Sequence, residues 1–310
     1  MRVVVTGGTG FIGRGLVTEL LRRGYSVAVP SREPRRVEEL FRGSVTAVAW
    51  DGCDPTPLAE LMSTGEETAV VNLAGENIAS GRWTEARKRR IRDSRVLAGR
   101  AVVEAARFAQ APPRVVVQAS AVGYYGPQAS QDGMMLGEGQ SAGTGFLACV
   151  CEAWEAASQE VERFGVRRVV VRLGLVLGRT GGVLDKFVPP FRMYVGGPLG
   201  SGKQWLPWVH RDDVAGAIAM LIADEGAQGI YNLCAPEPVT MSRFCHELGR
   251  VMHRPSWLPV PAVALRLLLG AEMGRETVLA SQRAIPERLL AEGYVFQKSE
   301  LTGALRACLG

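Results

Sequence analysis

Three glycines at a spacing of three stand inside the first thirteen residues: Gly7, Gly10 and Gly13 of Val5-Thr6-Gly7-Gly8-Thr9-Gly10-Phe11-Ile12-Gly13. A β-branched run, Val3–Thr6, leads into them, and Gly13–Arg23 follows with apolar residues at helical spacing. Strand, glycine turn and helix in that order open a βαβ unit. One glycine permits the tight turn, one lets backbone approach a bound group, and one lets the helix pack on the strand. The helix then points free N–H groups and its positive dipole end at an anion. Gly7, Thr9, Gly10, Phe11, Ile12 and Gly13 are therefore expected to hold a pyrophosphate.

The same alternation continues for two-thirds of the chain. Strands are predicted at Val3–Thr6, Ser26–Pro30, Val45–Ala49, Ala69–Leu73, Arg114–Ala119 and Arg167–Leu173, with helices at Gly13–Arg23, Arg35–Phe41, Pro57–Met62, Glu85–Gln110 and Gly145–Phe164. Nearly all-apolar strands mean a sheet covered on both faces, and right-handed crossovers make it a doubly wound parallel (Rossmann) sheet of the α/β class. After Gly178 the pattern loosens, and the Gly181-Gly182, Pro189-Pro190 and Gly196-Gly197-Pro198 clusters read as loops and turns. A helix from about Asp212 and a strand at Gly229–Cys234 return to the sheet, with Asp212 or Asp213 expected as the N-cap. Residues 1–178 and 212–235 are thus expected to form the Rossmann domain, and 179–211 with 236–310 a smaller, mostly helical substrate lobe.

The tip of the second strand speaks to the nucleotide. Sites that prefer NAD place a carboxylate there, against the ribose 2′-hydroxyl. Here the strand ends Val29-Pro30-Ser31-Arg32, with a hydroxyl donor and a guanidinium that can fork onto a 2′-phosphate. NADP(H) is the expected cofactor.

Net charge of +5 suits an anionic partner without choosing one. The basic run Arg87-Lys88-Arg89-Arg90-Ile91-Arg92 has no interleaved aromatics and reads as a solvated helix face, so no nucleic-acid partner is expected. No apolar run reaches membrane-span length, and no signal peptide precedes the first strand. The six cysteines show neither zinc spacing nor a disulfide framework; they are expected to be reduced and mostly buried, with no metal site, in a cytoplasmic protein.

Further motifs extend the pattern. Val71-Asn72-Leu73-Ala74-Gly75, Ser120-Ala-Val-Gly-Tyr124-Tyr125-Gly126, Arg172-Leu-Gly-Leu-Val176-Leu-Gly178 and Trp208-Val-His210-Arg-Asp212-Asp213 together resemble the extended short-chain dehydrogenases, the group that includes nucleotide-sugar epimerases. Glu76-Asn77-Ile78, Arg82-Trp83, Ser94-Arg95 and Ala153-Trp154-Glu155 are similar to a narrower branch, the YfcH-type epimerase family proteins. The resemblance implies that Leu73, Ala74 and Val176 lie along the cofactor. It also implies that the helices after strands four and five are the pairing surface, which leaves a homodimer open. Arg95 is either a phosphate neighbour or part of a solvated face. Glu76 and Asn77, at the carboxyl end of a strand, are candidates to face substrate; His210 is either a substrate residue or a loop anchor.

One departure matters for chemistry. The superfamily uses a Tyr-x-x-x-Lys pair on the helix after the serine strand. Here that helix offers Phe146-x-x-x-Val150 in one register and Leu147-x-x-x-Cys151 in the next. Proton transfer would then fall to Ser120, Tyr124 or solvent, and the helix residues would leave the nicotinamide ribose an apolar neighbour. Two functions stay open: an NADP-dependent oxidoreductase or epimerase-like enzyme on a small, sugar-nucleotide-like alcohol or carbonyl, and an NADP(H)-binding redox sensor that does not turn over.

Overall fold

A computed structural model describes every residue except Ala129 and Gln131. Its centre is a seven-stranded, wholly parallel sheet: β1 (Arg2–Thr6), β2 (Ser26–Ser31), β3 (Thr46–Ala49), β4 (Thr68–Asn72), β5 (Val115–Ala121), β6 (Arg167–Leu173) and β7 (Gly229–Leu233). Their order across the sheet is β7-β6-β5-β4-β1-β2-β3. The strand order reverses between β1 and β4, which opens a crevice at their carboxyl ends.

Helices cover both faces, as the apolar strands require. On one side α1 (Phe11–Arg22) buries Leu16, Val17 and Leu20 against β1 and β2, beside Val37 of α2 (Pro34–Phe41). On the other, α3 (Thr56–Met62) and α4 (Glu85–Phe108) set Leu58, Met62, Ala98 and Val102 against Val4, Val70 and Val116. The doubly wound sheet expected from the strand pattern is the one observed.

Two local expectations give way to tertiary structure. The helix expected over Gly145–Phe164 is α5 (Phe146–Ala156) followed by a separate 3₁₀ turn at Gln159–Phe164. At the break, the Ser158 hydroxyl donates to the Glu155 carbonyl, a local bond that competes with the helical ladder. The Pro189-Pro190 cluster, read as a turn, lies inside α6 (Leu184–Arg192). Burial of Leu184, Phe187 and Phe191 outweighs the weak propensity, and Phe187 meets Phe244 edge to face at 5.1 Å.

α7 (Arg211–Ala223) lies beside α1 on its face of the sheet. Beyond β7 the chain is mainly helical: α8 (Met241–Met252), α9 (Ala262–Leu269), α10 (Ala271–Glu276), α11 (Glu287–Ala291) and α12 (Leu301–Leu309). α6, α8 and α12 share an apolar cluster of their own that includes Phe191, Phe244, Leu248, Leu301 and Leu305. All six cysteines are free, four of them buried. No described helix is long and apolar enough to cross a membrane.

Candidate functional site

The crevice is built from the β1 turn outward. Gly7 has φ +69°, and a Cβ there would lie 2.8 Å from the Leu73 carbonyl carbon, so the β1 and β4 turns touch through backbone. Gly13 is tighter still: its Cβ would come 2.3 Å from the Gly7 carbonyl oxygen. Gly10 differs, being exposed, with φ −72° and only a 3.1 Å approach to Gly7. Packing therefore explains Gly7 and Gly13, whereas Gly10 keeps its outer side bare. Gly10 stands at the N-cap position of α1, and no side chain caps that helix. Its first N–H groups open into the crevice with a positive dipole end behind them, which fits a dinucleotide pyrophosphate. Phe11 packs its ring on Gly178, Gly181 and Gly182, while Thr9 and Ile12 are half-buried around the turn.

At the tip of β2, Ser31 Oγ accepts the Glu33 N–H at 3.1 Å, which leaves its own proton free to donate. Arg32 is exposed beside it. After β4, Leu73 and Ala74 are half-buried at the crevice edge. Ser94 and Arg95 brace this turn from α4: the Glu76 N–H donates to Ser94 Oγ (3.0 Å), and Arg95 Nη1 donates to the carbonyls of Glu76 (3.1 Å) and Ile91 (2.8 Å). Arg95 also stacks 4.8 Å from the Trp154 ring centroid, and burial lowers its pKa. Glu76 is held by Arg87 (3.2 Å) and Arg90 (3.6 Å), while Lys88 pairs with Glu272 at 3.0 Å. Three of the run's five basic residues, Arg87, Lys88 and Arg90, thus hold carboxylates rather than being merely solvated. Asn77 is exposed, its Oδ1 accepting the Ala79 N–H.

Across the sheet, two polar rows replace the apolar pattern near the carboxyl ends. Thr6, Asn72 and Gln118 stand opposite one another and are linked by side-chain bonds of 2.6 and 3.0 Å. Ser120, Arg172 and Asn232 form the second row. Ser120 is fully buried and its hydroxyl donates to Glu155 Oε1 at 2.6 Å. Glu155 takes both Arg172 Nε (2.9 Å) and Nη2 (3.0 Å). Arg172 Nη1 donates to the Tyr125 hydroxyl, which in turn donates to Asn232 Oδ1 at 2.7 Å. Burial pushes the Tyr125 phenol up to about 12. Tyr124, half-buried, lays its ring 3.4 Å from the Arg172 guanidinium carbon. Sequence reasoning quoted Arg172 and Glu155 without giving them a role. The available signal was an arginine inside Val169-Val-Val-Arg172-Leu173, which a buried strand tolerates only when paired.

The register of α5 is settled by its neighbours. Leu147 Cβ and Cys151 Sγ are the atoms nearest a Cβ placed on Gly123, at 3.4 and 3.8 Å, so the Leu147/Cys151 face meets the serine-strand end. Phe146 instead meets Trp83 edge to face at 4.9 Å, and Val150 is buried. Of the two registers the sequence leaves open, Leu147-x-x-x-Cys151 is therefore the one on the serine-strand side, with Phe146 turned to Trp83. Cys151 is no thiolate, since burial pushes it up to about 11. Glu276 of α10 caps α5, accepting the N–H groups of Phe146 (2.9 Å) and Leu147 (2.8 Å), a contact sequence periodicity does not encode.

Val176 is buried in a short strand paired with Val209. His210 is only 5% exposed, and its Nδ1 accepts the Asp212 N–H at 3.2 Å. It therefore caps α7, the task expected of Asp212 or Asp213. Asp213 is committed elsewhere, accepting the N–H groups of Gln297 (2.6 Å) and Lys298 (3.0 Å).

A parallel sheet in this order, with an uncapped helix end delivered to its crevice by a glycine turn, defines a nucleotide-binding Rossmann protein of the short-chain dehydrogenase type. The chain belongs to the NAD-dependent epimerase/dehydratase family, whose model matches residues 3–234. A second model, a domain of unknown function (DUF1731), matches residues 260–308. Among its relatives, an epimerase family protein SDR39U1 homologue of Arabidopsis thaliana, described as chloroplastic, is 39% identical over 100% of this chain and 87% of its own length. Epimerase family protein YfhF of Bacillus subtilis is 37% identical, covering 98% and 97%. The crystal structure of human epimerase family protein SDR39U1 with NADPH superposes with a TM-score of 0.86 at 33% identity, covering 99% of both chains.

Proposed function

We propose that this chain binds NADP(H) and acts with it on a small, sugar-nucleotide-like alcohol or carbonyl in the cytoplasm. The observation that carries the reading is the bare, uncapped amino end of α1 beneath Gly10, with the Ser31–Arg32 tip beside it. The NADPH in the human relative's structure supports the same cofactor here. NADP(H) supplies or accepts a hydride when bound. The chain's residues do the rest: the α1 N–H groups and Gly10 hold pyrophosphate, Ser31 and Arg32 the 2′-phosphate, and Leu73, Ala74 and Val176 bound the path of the dinucleotide. Ser94 and Arg95 fix the β4 turn that carries Glu76 and Asn77 to the substrate side. Tyr124 is the proton donor or acceptor, because its hydroxyl, unlike that of Ser120, is not tied to Glu155. Its ring rests on the Arg172 guanidinium, which holds it at the strand end. A homodimer through α4 and α5 belongs to this proposal.

A second reading, an NADP(H) sensor without turnover, draws on Leu147 and Cys151 standing where an acid/base pair would be expected. The two separate in one experiment. Purified protein is titrated with NADPH and then assayed for NADPH oxidation across a panel of carbonyl compounds. Binding with turnover supports the enzyme, binding without turnover the sensor, and no binding overturns both.

A further inference from the structure

A second basic cleft lies along α1, lined by residues outside the glycine turn. It is a cavity of about 620 Å³ between α1 and α7, lined by Arg14, Thr18, Arg22, Thr180, Arg211 and Gln297, with the acidic Glu19 and Asp212 at its wall. None of these belongs to the β1 turn, the β4 turn or the tip of β2.

Its charges are unevenly committed. Arg22 is spent on Glu19, with both contacts at 2.8 Å, and Arg23 holds the same carboxylate at 2.7 Å. Those hydrogen bonds, Arg22 first, hold Glu19 down to about 2, so it is ionised and already matched by two cations. Asp212 Oδ2 stands 3.6 Å from His210 Nδ1, but that nitrogen accepts the Asp212 N–H and carries no charge, so this carboxylate remains an opposing charge at the wall. Arg14 and Arg211 are different. In each, Nε is buried and has no acceptor among the described residues. Neither arginine is paired with a carboxylate among the described residues, and both line the cleft, so their guanidinium charges are available to an anion there.

The two side chains are also held in place. Arg211 lies across Gly15, where a Cβ would come within 3.0 Å of its Cδ, and its guanidinium carbon stands 5.5 Å from the Phe11 ring centroid. A residue larger than glycine at position 15 would push Arg211 off the helix. Thr18 donates its hydroxyl to the Arg14 carbonyl at 2.9 Å, which leaves Thr180 and Gln297 as the neutral donors of the cleft.

We propose that this α1–α7 cleft is a second anion site, separate from the dinucleotide site, that takes the phosphate group of a small molecule between the guanidinium groups of Arg14 and Arg211. A guanidinium presents a planar fork of donors, which matches phosphate oxygens better than a single ammonium would. The cleft's size limits the ligand to a small molecule.

The test uses the full chain at constant ionic strength, titrated calorimetrically with inorganic phosphate and with pyrophosphate. It is run twice, on protein saturated with NADPH and on a Gly10→Val variant. Phosphate binding is expected in both, weakened at least about tenfold by Arg14→Gln and by Arg211→Gln, as loss of a charge-assisted bond requires. Gly15→Val, which displaces Arg211 without removing its charge, is expected to weaken binding likewise, and the exposed-site control Arg107→Gln to leave it unchanged. Should Arg14→Gln fail to fold, Arg14→Lys replaces it, keeping the charge and losing the fork. No phosphate binding to NADPH-saturated protein, binding abolished by Gly10→Val alone, or equal weakening by Arg107→Gln would each overturn the proposal. NADPH affinity is measured separately, so failure of the dinucleotide reading is seen independently.

Discussion

Arg172 of β6 and Glu155 of α5 meet through two parallel contacts, Nε to Oε1 at 2.9 Å and Nη2 to Oε2 at 3.0 Å, with the arginine side chain 1% exposed. This pair ties the helix that lacks Tyr and Lys to the strand ends that line the crevice. Through Oε1 it also reaches Ser120, and through Nη1 it reaches Tyr125. Removing one partner strands the other in the interior. Glu155→Ala is therefore expected to cost about 3–5 kcal/mol in urea unfolding, and Glu155→Leu with Arg172→Met together to cost clearly less. A double variant as unstable as the single one would mean that the charges themselves are needed for folding.

On the proposed reading, cofactor choice rests on the tip of β2. NADPH is expected to bind more tightly than NADH, with the gap narrowing in Arg32→Ala and with rising salt, because Arg32 is exposed and its attraction is screened. Fluorescence titration of both nucleotides checks this. Equal wild-type affinities would place the 2′-phosphate elsewhere.

Two glycines three residues apart should respond in opposite ways. Gly10→Val is expected to fold, since its backbone is already extended, and to lose NADPH binding because the side chain occupies the pyrophosphate's place. Gly13→Val is expected not to fold, its Cβ being driven to 2.3 Å from the Gly7 oxygen. Circular dichroism separates the two, and a Gly10→Val protein that still bound NADPH would refute the loop assignment.

With a substrate in hand, Tyr124→Phe is expected to lower kcat at least ~10-fold while leaving NADPH affinity unchanged, the low side of acid–base contributions. Ser120→Ala acts only through Glu155 and should lower kcat less. The reverse order would return the proton to Ser120, and two silent variants would pass the role to Glu76.

His210 links stability to pH. Burial, the larger influence, lowers its pKa despite Asp212 and Asp213 nearby, so the folded state takes up a proton less readily than the unfolded chain. Its contribution is thus complete above the ordinary histidine range near 6.5 and declines as pH falls through it, when a protonated Nδ1 can no longer accept the Asp212 N–H. His210→Ala should cost about 1 kcal/mol at neutral pH and flatten that decline, and His210→Asn should retain most of the cap. Urea midpoints at pH 5 and 8 measure both effects.

The first strand, the glycine turn and α1 could be read from residues 1–23 alone, because each requirement there is local: spacing, β-branching and the absence of Cβ atoms. The parallel sheet was legible for a similar reason, its strands being apolar on both faces. The rest depended on partners far apart in the chain. Arg172 announces by composition that it needs a counter-charge, yet only the packing of α5 on β5 selects Glu155, seventeen residues away, over other carboxylates. Glu276 reaches α5 across 130 residues, and Pro189-Pro190 stays helical because Phe191 is buried with α8. His210 rather than an aspartate caps α7 because Asp213 is drawn to the backbone of Gln297 and Lys298. Periodicity records which face of an element is buried; it carries no record of which distant side chain arrives there, and at this crevice that arrival ties the Ser120 hydroxyl to Glu155.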